Sequence, residues 1–273
     1  MDWLRALQHL RTTRAPAVLV TVAEVRGHTP REAGAKLVVG ADEVWGSVGG
    51  GNLEESAVRR ARDLLRDRAT TAVTERYDLS DKAPAEHGVQ CCGGRVTLLY
   101  EPQPVRPAVA LFGLGHVGFE LALLLSRHDL DLHLVDSRAD QLEADRLAPL
   151  LDGPAVVRVH REPVLPELAI AALPAGVQAL VLTHDHAEDL ALVDALLRSD
   201  VPGSVGVIGS SAKWTRFRAR LAELGHTPEA IDRVRTPIGD PAVTGLAGKQ
   251  PAVIALSVAV ELLTPRRLGV SHR

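Results

Sequence analysis

The sequence predicts an α/β protein in two parts: a C-terminal domain built on a parallel sheet, and a smaller N-terminal α+β domain. Beyond residue 108, apolar strand patterns alternate with helical patterns, which is typical of a parallel sheet covered on both faces. A turn with the pattern Gly-x-Gly-x-x-Gly follows the first of these strands. Three prolines within residues 102–107 predict a stiff, extended linker before it. We therefore expect domains at residues 1–101 and 108–273.

The composition excludes several classes of protein. A chain of 273 residues is long enough for two hydrophobic cores. A net charge of −3 and an aromatic content of 3% argue against a nucleic-acid partner. The longest apolar run, residues 252–263, is too short to span a membrane, and the first residues do not form a secretory signal.

The two cysteines, Cys91 and Cys92, are neighbours in the sequence. Their α-carbons lie about 3.8 Å apart, which is less than the usual separation across a disulfide. An ordinary disulfide within one chain is therefore excluded, and we expect a reducing, cytoplasmic location.

In the N-terminal part, apolar periodicity predicts a short helix, several strands and one longer helix. The short helix covers residues 3–10, and the strands cover 17–25, 36–39, 43–45, 72–77 and 95–100. The longer helix is expected to have Asn52 as its N-cap, with Glu55 completing a capping box, and to end near Arg68.

Three consecutive glycines, Gly49, Gly50 and Gly51, precede Asn52. Glycine lets backbone N–H groups approach a ligand without a side chain in the way. The start of the following helix adds unpaired N–H groups and the positive end of its dipole. This stretch is therefore a candidate binding site for a phosphate. Glu54 and Glu55 are interpreted as helix caps rather than as a catalytic acid and base.

In the C-terminal part, strands and helices alternate throughout. The strands are expected at residues 108–112, 132–135, 156–159, 179–183 and 204–208. A tight turn is expected at 113–118, and helices at 119–127, 187–198, 212–224 and 251–263.

The glycine pattern of the C-terminal part consists of Gly113, Gly115 and Gly118, and Asp136 ends the next strand. Glycines between a strand and a helix, with an acid after the second strand, are the context of a Rossmann-like dinucleotide site. Such a fold binds NAD, another nucleotide or an unrelated ligand. An NAD-dependent oxidoreductase is therefore one alternative, with His116 or His184 as proton donor; Arg138 leaves NADP open.

His184 and His186 follow a later strand of the same sheet. The pattern His-x-His-x-acid resembles binuclear metal hydrolases, but Asp189 stands where such a motif needs another histidine. The two histidines could also be structural residues at a helix start. We favour a third interpretation, in which they line the ligand crevice at the switch point of the sheet.

Gly209 and Ser210 lead into a helix that carries Lys213 in its first turn. A hydroxyl, free N–H groups and an ammonium at a helix start predict a second anion site, with plain N-capping as the alternative. Helical spacing places Lys213, Arg216 and Arg220 on one basic stripe. It places Trp214, Phe217 and Leu221 on another stripe facing the core.

Cys91 and Cys92 lie between Gln90 and a pair of glycines. Paired thiols in such a segment bind soft metals or take part in sulfur transfer. Buried, inert cysteines are the ordinary alternative. We favour a functional role because glycines on one side offer the thiols little packing.

Taken together, these motifs resemble the XdhC/CoxI family, the xanthine dehydrogenase accessory proteins. The resemblance covers nearly the whole chain and includes residues 27–36, 46–54, 90–94, 112–118, 135–138, 183–186, 209–216 and 237–239 in the same order. One departure is Val253 in the last helix, where many relatives have an acidic residue.

The resemblance implies an N-terminal family domain joined to a Rossmann-like domain. It implies a cytoplasmic homodimer that binds molybdenum cofactor (molybdopterin), protects its sulfurated form and inserts it into xanthine dehydrogenase or a related molybdenum hydroxylase. The resemblance leaves room for a cysteine desulfurase as a further partner. Such a protein is a carrier rather than an enzyme.

Within this resemblance, each motif is assigned to one part of the cofactor. Residues 49–52 and 209–213 are expected to bind its phosphate. His184 and His186 are expected to line its pterin or metal end, and Cys91 or Cys92 to contact the molybdenum side.

Overall fold

A computed structural model describes residues 1–79, 94–161, 166–239, 244–246 and 248–264. The chain divides into two compact units, unit 1 (Met1–Arg106) and unit 2 (Pro107–Arg273). The point of division falls inside the segment expected to be the linker. The last strand of unit 1 nevertheless extends through Gln103, so the first two residues of that segment belong to a sheet.

Unit 1 is an α+β structure with one antiparallel sheet. Its elements are α1 (Trp3–Thr12), β1 (Ala17–Arg26), β2 (Lys36–Val39), β3 (Val44–Gly46), α2 (Gly51–Arg66), β4 (Val73–Asp78) and β5 (Arg95–Gln103). The strand order is β3-β2-β1-β5-β4. All strands expected from the sequence are present, with ends shifted by up to three residues.

The two faces of this sheet are covered by different helices. Side chains alternate along β1, so Val18, Val20 and Val22 pack against α2. On the other face, Ala17 and its neighbours pack against α1. Unit 1 therefore has its own core.

The start of α2 differs from the prediction. The N-cap is Gly50, and Asn52 is the second helical residue rather than the cap. Gly50 and Gly51 have φ angles of 73° and 55°, a region that glycine enters without steric cost. The predicted capping box with Glu55 is therefore wrong, because the chain enters the helix through glycine.

Unit 2 alternates strands and helices. Its elements are β6 (Ala108–Phe112), α3 (His116–Leu125), β7 (Asp131–Val135), α4 (Ala144–Leu147), β8 (Val156–His160), α5 (Pro166–Ala171), β9 (Val177–Val181), α6 (His186–Arg198), β10 (Pro202–Val207), α7 (Ser211–Glu223), α8 (Pro228–Asp232) and α9 (Pro251–Leu263). Short 3₁₀ turns flank α4.

The five strands of unit 2 form a parallel sheet in the order β10-β9-β6-β7-β8. Val109 and Leu111 pack on the face covered by α3 and α9. Ala110 and Phe112 pack on the face covered by α6 and α7. This confirms the α/β prediction and the Rossmann-like C-terminal domain.

Some element bounds in unit 2 differ from those predicted. Helix α3 begins at His116, so Gly118 lies inside a helix and not in a turn. Strand β9 ends at Val181, which leaves Thr183 in the following loop. The short helices α4, α5 and α8 were not anticipated, because four to six residues give too little periodicity to read.

Among the described residues, no helix combines the length and the apolar character needed to cross a bilayer.

Candidate functional site

Four loops of unit 2 share the carboxyl edge of the parallel sheet. They follow β6, β7, β9 and β10. The chain leaves β6 toward β7 on one side and later returns to β9 on the other side, so the switch point lies between β6 and β9. Ligands of open α/β sheets bind at this place. All candidate residues that the sequence identified in unit 2 lie on these four loops or on the helix starts that follow them.

The glycine loop after β6 packs closely against the loop after β9. A Cβ on Gly113 would lie 2.5 Å from the carbonyl oxygen of Leu182, and a Cβ on Gly118 would lie 2.0 Å from the carbonyl oxygen of Gly113. These two glycines are therefore required for packing. Gly115 differs, because its nearest neighbour would be the Nη2 of Arg138 at 4.0 Å. The space above Gly115 is open to a ligand.

The start of α3 presents backbone donors to that space. Gly113 N–H donates to Val135, and Leu114 N–H donates to Asp136 at 2.6 Å. The first N–H groups of α3, including that of His116, have no acceptor four residues back within the helix. These N–H groups are therefore candidate backbone donors for an anion at this loop.

Asp136 is nearly buried and fully hydrogen-bonded. Its Oδ1 accepts from the backbone N–H and the Nε of Arg138, both at 2.9 Å, and its Oδ2 accepts from Nη2 of Arg138 at 2.9 Å. Burial alone would raise the pKa of Asp136. The hydrogen bonds from Arg138 and from Leu114 N–H outweigh that effect and lower its pKa below the ordinary value.

A second arginine, Arg146 on α4, reaches the same loop. Its Nη2 donates to the carbonyl oxygen of Leu114 at 3.0 Å, and its guanidinium stands over the ring of Phe119 at 4.5 Å. Sequence reasoning missed Arg146. It belongs to no motif, and only the packing of α4 against the loop brings it there.

A buried ion pair joins the loops after β9 and β10. Nζ of Lys213 donates to Oδ2 of Asp189, and also to the carbonyl oxygen of Ile208 at 3.0 Å. Asp189 has no exposed surface, and its Oδ1 accepts from the N–H and the hydroxyl of Thr183 at 3.0 and 2.7 Å. The pair therefore fixes the start of α6 relative to the start of α7.

This pair changes the interpretation of α7. Lys213 lies on the buried stripe with Phe217 and Leu221, so its predicted place on the exposed basic stripe is wrong. Its aliphatic chain occupies the space beside Gly209, where a Cβ would lie 2.6 Å from Cδ of Lys213. Ser210 is the N-cap, with its hydroxyl accepting from Lys213 N–H at 3.3 Å.

His184, on the loop after β9, and His186, the first residue of α6, are both exposed. Between them, Asp185 caps α6 by accepting from the N–H groups of Ala187 and Glu188 at 2.6 and 3.0 Å. Among the described residues, no group of three or more His, Cys, Asp or Glu side chains is placed to hold a metal ion. Because both histidine side chains are exposed, their ring nitrogens are accessible as donors and acceptors beside the switch point.

In unit 1, three sequence motifs meet at one end of the sheet. A Cβ on Gly49 would lie 2.5 Å from Cγ of Pro30, and a Cβ on Gly94 would lie 2.2 Å from the carbonyl oxygen of His28. The loop after β1, the triple glycine and the residue that precedes β5 are therefore in contact. Cys91 and Cys92 lie outside the described residues.

Glu54 accepts hydrogen bonds from the donor groups that precede α2. Its Oε2 accepts from the Ser47 hydroxyl at 2.5 Å and from the N–H groups of Val48 and Gly50 at 3.2 Å. This agrees with the interpretation of Glu54 as a cap. It also means that part of the predicted anion site already holds a carboxylate of the chain itself.

Comparison with known families agrees with the motifs. The model described as the XdhC Rossmann domain matches residues 109–262, and the model of the XdhC and CoxI family matches residues 10–78. The chain belongs to the XdhC/CoxI family. The two matches correspond to unit 2 and to most of unit 1.

Two curated relatives come from Escherichia coli K12. The chain is 25% identical over 258 residues to the uncharacterized protein YqeB, covering 93% of this chain but 44% of YqeB, so it spans less than half the length of that relative. It is 27% identical over 284 aligned positions to the molybdenum cofactor insertion chaperone PaoD, covering 92% of this chain and 83% of PaoD.

Two solved structures align with the chain at TM-scores below 0.5. A Bacillus halodurans protein described as a xanthine dehydrogenase (BH1974) gives a TM-score of 0.46 at 19% identity, covering 96% of this chain and 95% of that one. An imine reductase from Streptomyces aurantiacus gives a TM-score of 0.29 at 19% identity, covering 57% and 60%.

The glycine loop gives a first testable prediction. Gly118→Ala places a Cβ against backbone and should lower the free energy of unfolding by about 2 kcal/mol or more, as overpacking does. Gly115→Ala adds the same methyl group in open space and should change it by less than about 0.5 kcal/mol. Urea unfolding followed by circular dichroism measures both. Equal stabilities of the two variants would contradict the packing described here.

The buried ion pair gives a second prediction. Lys213→Met leaves the Asp189 carboxylate buried without its cation, and removing one partner of such a pair costs about 3 to 5 kcal/mol. Adding Asp189→Asn should recover a large part of that loss. The exposed pair Arg220–Glu223 is the control, and Arg220→Ala should leave the free energy of unfolding nearly unchanged. A loss after Lys213→Met no larger than after Arg220→Ala would refute the buried pair.

Proposed function

We propose that this protein is a molybdenum cofactor chaperone, which binds the phosphorylated pterin and inserts it into a molybdenum hydroxylase. The observation that carries the proposal is the glycine loop of unit 2, where open N–H groups of α3 stand beside Arg138 and Arg146. Family membership and the similarity to PaoD over most of both chains support the same function.

The phosphate of the cofactor is assigned to this loop. Backbone N–H groups at a helix start attract an anion, and a planar guanidinium matches a phosphate group. Gly115 leaves room for the phosphate to approach the backbone, and its φ of −63° suits any residue. The absence of a side chain at Gly115 is therefore explained by the ligand rather than by the backbone.

The two helix starts first considered for the phosphate are less open. At α2, Glu54 already accepts from the N–H groups of Val48 and Gly50. At α7, the charge of Lys213 is neutralised by Asp189. In the proposal, Gly209, Ser210 and Lys213 hold the neighbouring loop in place, because Ser210 caps α7 and Lys213 binds Asp189.

The pterin is assigned to the loop after β9. His184 and His186 are exposed there, and their ring nitrogens can donate to and accept from the polar edge of a pterin. The Asp189–Lys213 pair holds this loop through Thr183. The histidines are thereby presented from a fixed backbone.

In unit 1, the proposal keeps Gly49, Gly51 and Asn52 as binding residues, and Cys91 or Cys92 as the contact with the molybdenum side that protects the sulfurated form. The thiols need no bond-making step for this role.

The proposed client is xanthine dehydrogenase or another molybdenum hydroxylase. A cytoplasmic location, a homodimer and a cysteine desulfurase as the source of the cofactor's sulfur complete the proposal. The alternative of an NAD(P)-dependent oxidoreductase has the Gly-x-Gly-x-x-Gly loop in its favour. The ion pair of Asp136 with Arg138 argues against this alternative, because it occupies the carboxylate that would accept from the ribose.

Retention of the pterin tests the proposal. The protein is purified under reducing conditions from cells that make molybdopterin, then oxidised, and the fluorescent pterin is measured per chain. We expect pterin in proportion to protein, and none from a strain that lacks molybdopterin synthesis. Gly115→Ala should lower the retained pterin at unchanged stability. Protein that carries no pterin from the producing strain would contradict the proposal.

Client activation tests the cysteines separately. Replacing both Cys91 and Cys92 with serine should reduce the activity gained by an apo-hydroxylase that is incubated with the loaded protein, while the melting temperature stays the same. Unchanged activation would remove both thiols from the function.

A further inference from the structure

The acid of the dinucleotide pattern is not available to a ligand in this protein. In Rossmann-like sites, the carboxylate at this position accepts hydrogen bonds from ribose hydroxyls. Here both oxygens of Asp136 accept from Arg138, and Oδ2 also accepts from Leu114 N–H. The side chain of Asp136 is 2% exposed. A ribose would have to displace the guanidinium to reach it.

Arg138 is held in this position from more than one side. Its backbone N–H and its side chain both bind Asp136, and the charges of Asp140 and Glu188 act on it as well. These interactions raise the pKa of Arg138 and lower the pKa of Asp136. Both side chains are therefore charged at neutral pH, and Arg138 blocks the access of a ligand to Asp136.

The guanidinium still faces the ligand space. Its side chain is 32% exposed, and Nη2 is the atom nearest to the open position above Gly115. The loop thus presents a cation and helix N–H groups where a nucleotide-binding relative presents a carboxylate. A partly exposed guanidinium beside free helix N–H groups suits the oxygens of a phosphate.

We propose that Arg138 is a specificity-determining residue, which closes the glycine loop to nucleosides by holding Asp136 and so selects a ligand that ends in a phosphate monoester. This inference rests on the proposed function for the identity of the ligand.

The physical reason is the cost of opening the pair. A ribose that takes the place of Arg138 replaces a bidentate contact between two ions with hydrogen bonds from two neutral hydroxyls, and it leaves a nearly buried carboxylate without its cation. A terminal phosphate binds without moving either side chain. The preference for a terminal phosphate over a nucleoside therefore comes from the Asp136–Arg138 ion pair, which only the nucleoside has to break.

A gain of NAD binding tests the proposal. NAD is titrated calorimetrically into the wild-type chain and into Arg138→Ala, which frees Asp136 to accept ribose hydroxyls. We expect NAD to bind Arg138→Ala at least tenfold more tightly than the wild type. Arg127→Ala, an exposed arginine after the end of α3, is the control and should bind NAD as the wild type does. Equal or weaker NAD binding by Arg138→Ala would overturn the proposal.

Two further variants show whether a gain in NAD affinity depends on the cation at position 138 and on the carboxylate of Asp136. Arg138→Lys retains a cation at this position without the bidentate contact, and should gain less NAD affinity than Arg138→Ala. Adding Asp136→Asn to Arg138→Ala should remove most of the gain, because the charged acceptor is lost. A gain that persists in the double variant would overturn the mechanism. NAD titration needs no molybdopterin, so failure here is distinguishable from failure of the pterin-retention experiment.

Discussion

Burial of charge at the carboxyl edge of the parallel sheet is the constraint on which the candidate site depends. Asp136 and Asp189 are both nearly removed from solvent, and an isolated buried carboxylate is strongly unfavourable. Each is satisfied by one cation and by backbone N–H groups of an adjacent loop. These bonds join the loop after β6 to the loop after β7, and the loop after β9 to the start of α7. The close packing of Gly113 against Leu182 joins the two sets.

The two ion pairs leave different chemistry on that surface. Lys213 is buried and its charge is neutralised by Asp189, so it holds the loops in place rather than offering a charge to a ligand. Arg138 neutralises Asp136 but remains partly exposed beside Gly115. The open donors of the site are therefore concentrated at the start of α3. This arrangement supports the proposed binding of an anion at the glycine loop, where Arg138 already occupies the carboxylate of Asp136.

Local pattern was sufficient to predict most of the fold. Buried strands such as β6 and β9 are short apolar runs, and Gly113 and Gly118 stand where a strand and a helix meet closely. The start of α2 could not be predicted. Asn52 is a residue type that favours the N-cap position, but the backbone conformation places the N-cap at Gly50. Helix α4 was too short to show a period.

The candidate site was only partly predictable, because a motif names residues but not their partners. The sequence predicts an anion site that includes Lys213, but Asp189 on another helix binds its ammonium group. The sequence predicts Asp136 as the acid of a dinucleotide site, but Arg138 binds its carboxylate. Arg146 reaches the loop from a segment with no recognisable signal. Long-range pairing of charges decides these roles, and a single sequence does not record it.

The central claim is that the phosphate group anchors the pterin at the loop of Gly115. It is tested most directly by comparing two fluorescent pterins, the oxidised molybdopterin derivative with its phosphate and the same compound after phosphatase treatment, in equilibrium binding to the purified protein. The account predicts that removal of the phosphate weakens binding at least tenfold, and that Gly115→Ala abolishes the difference. Equal affinity for the two pterins would contradict it.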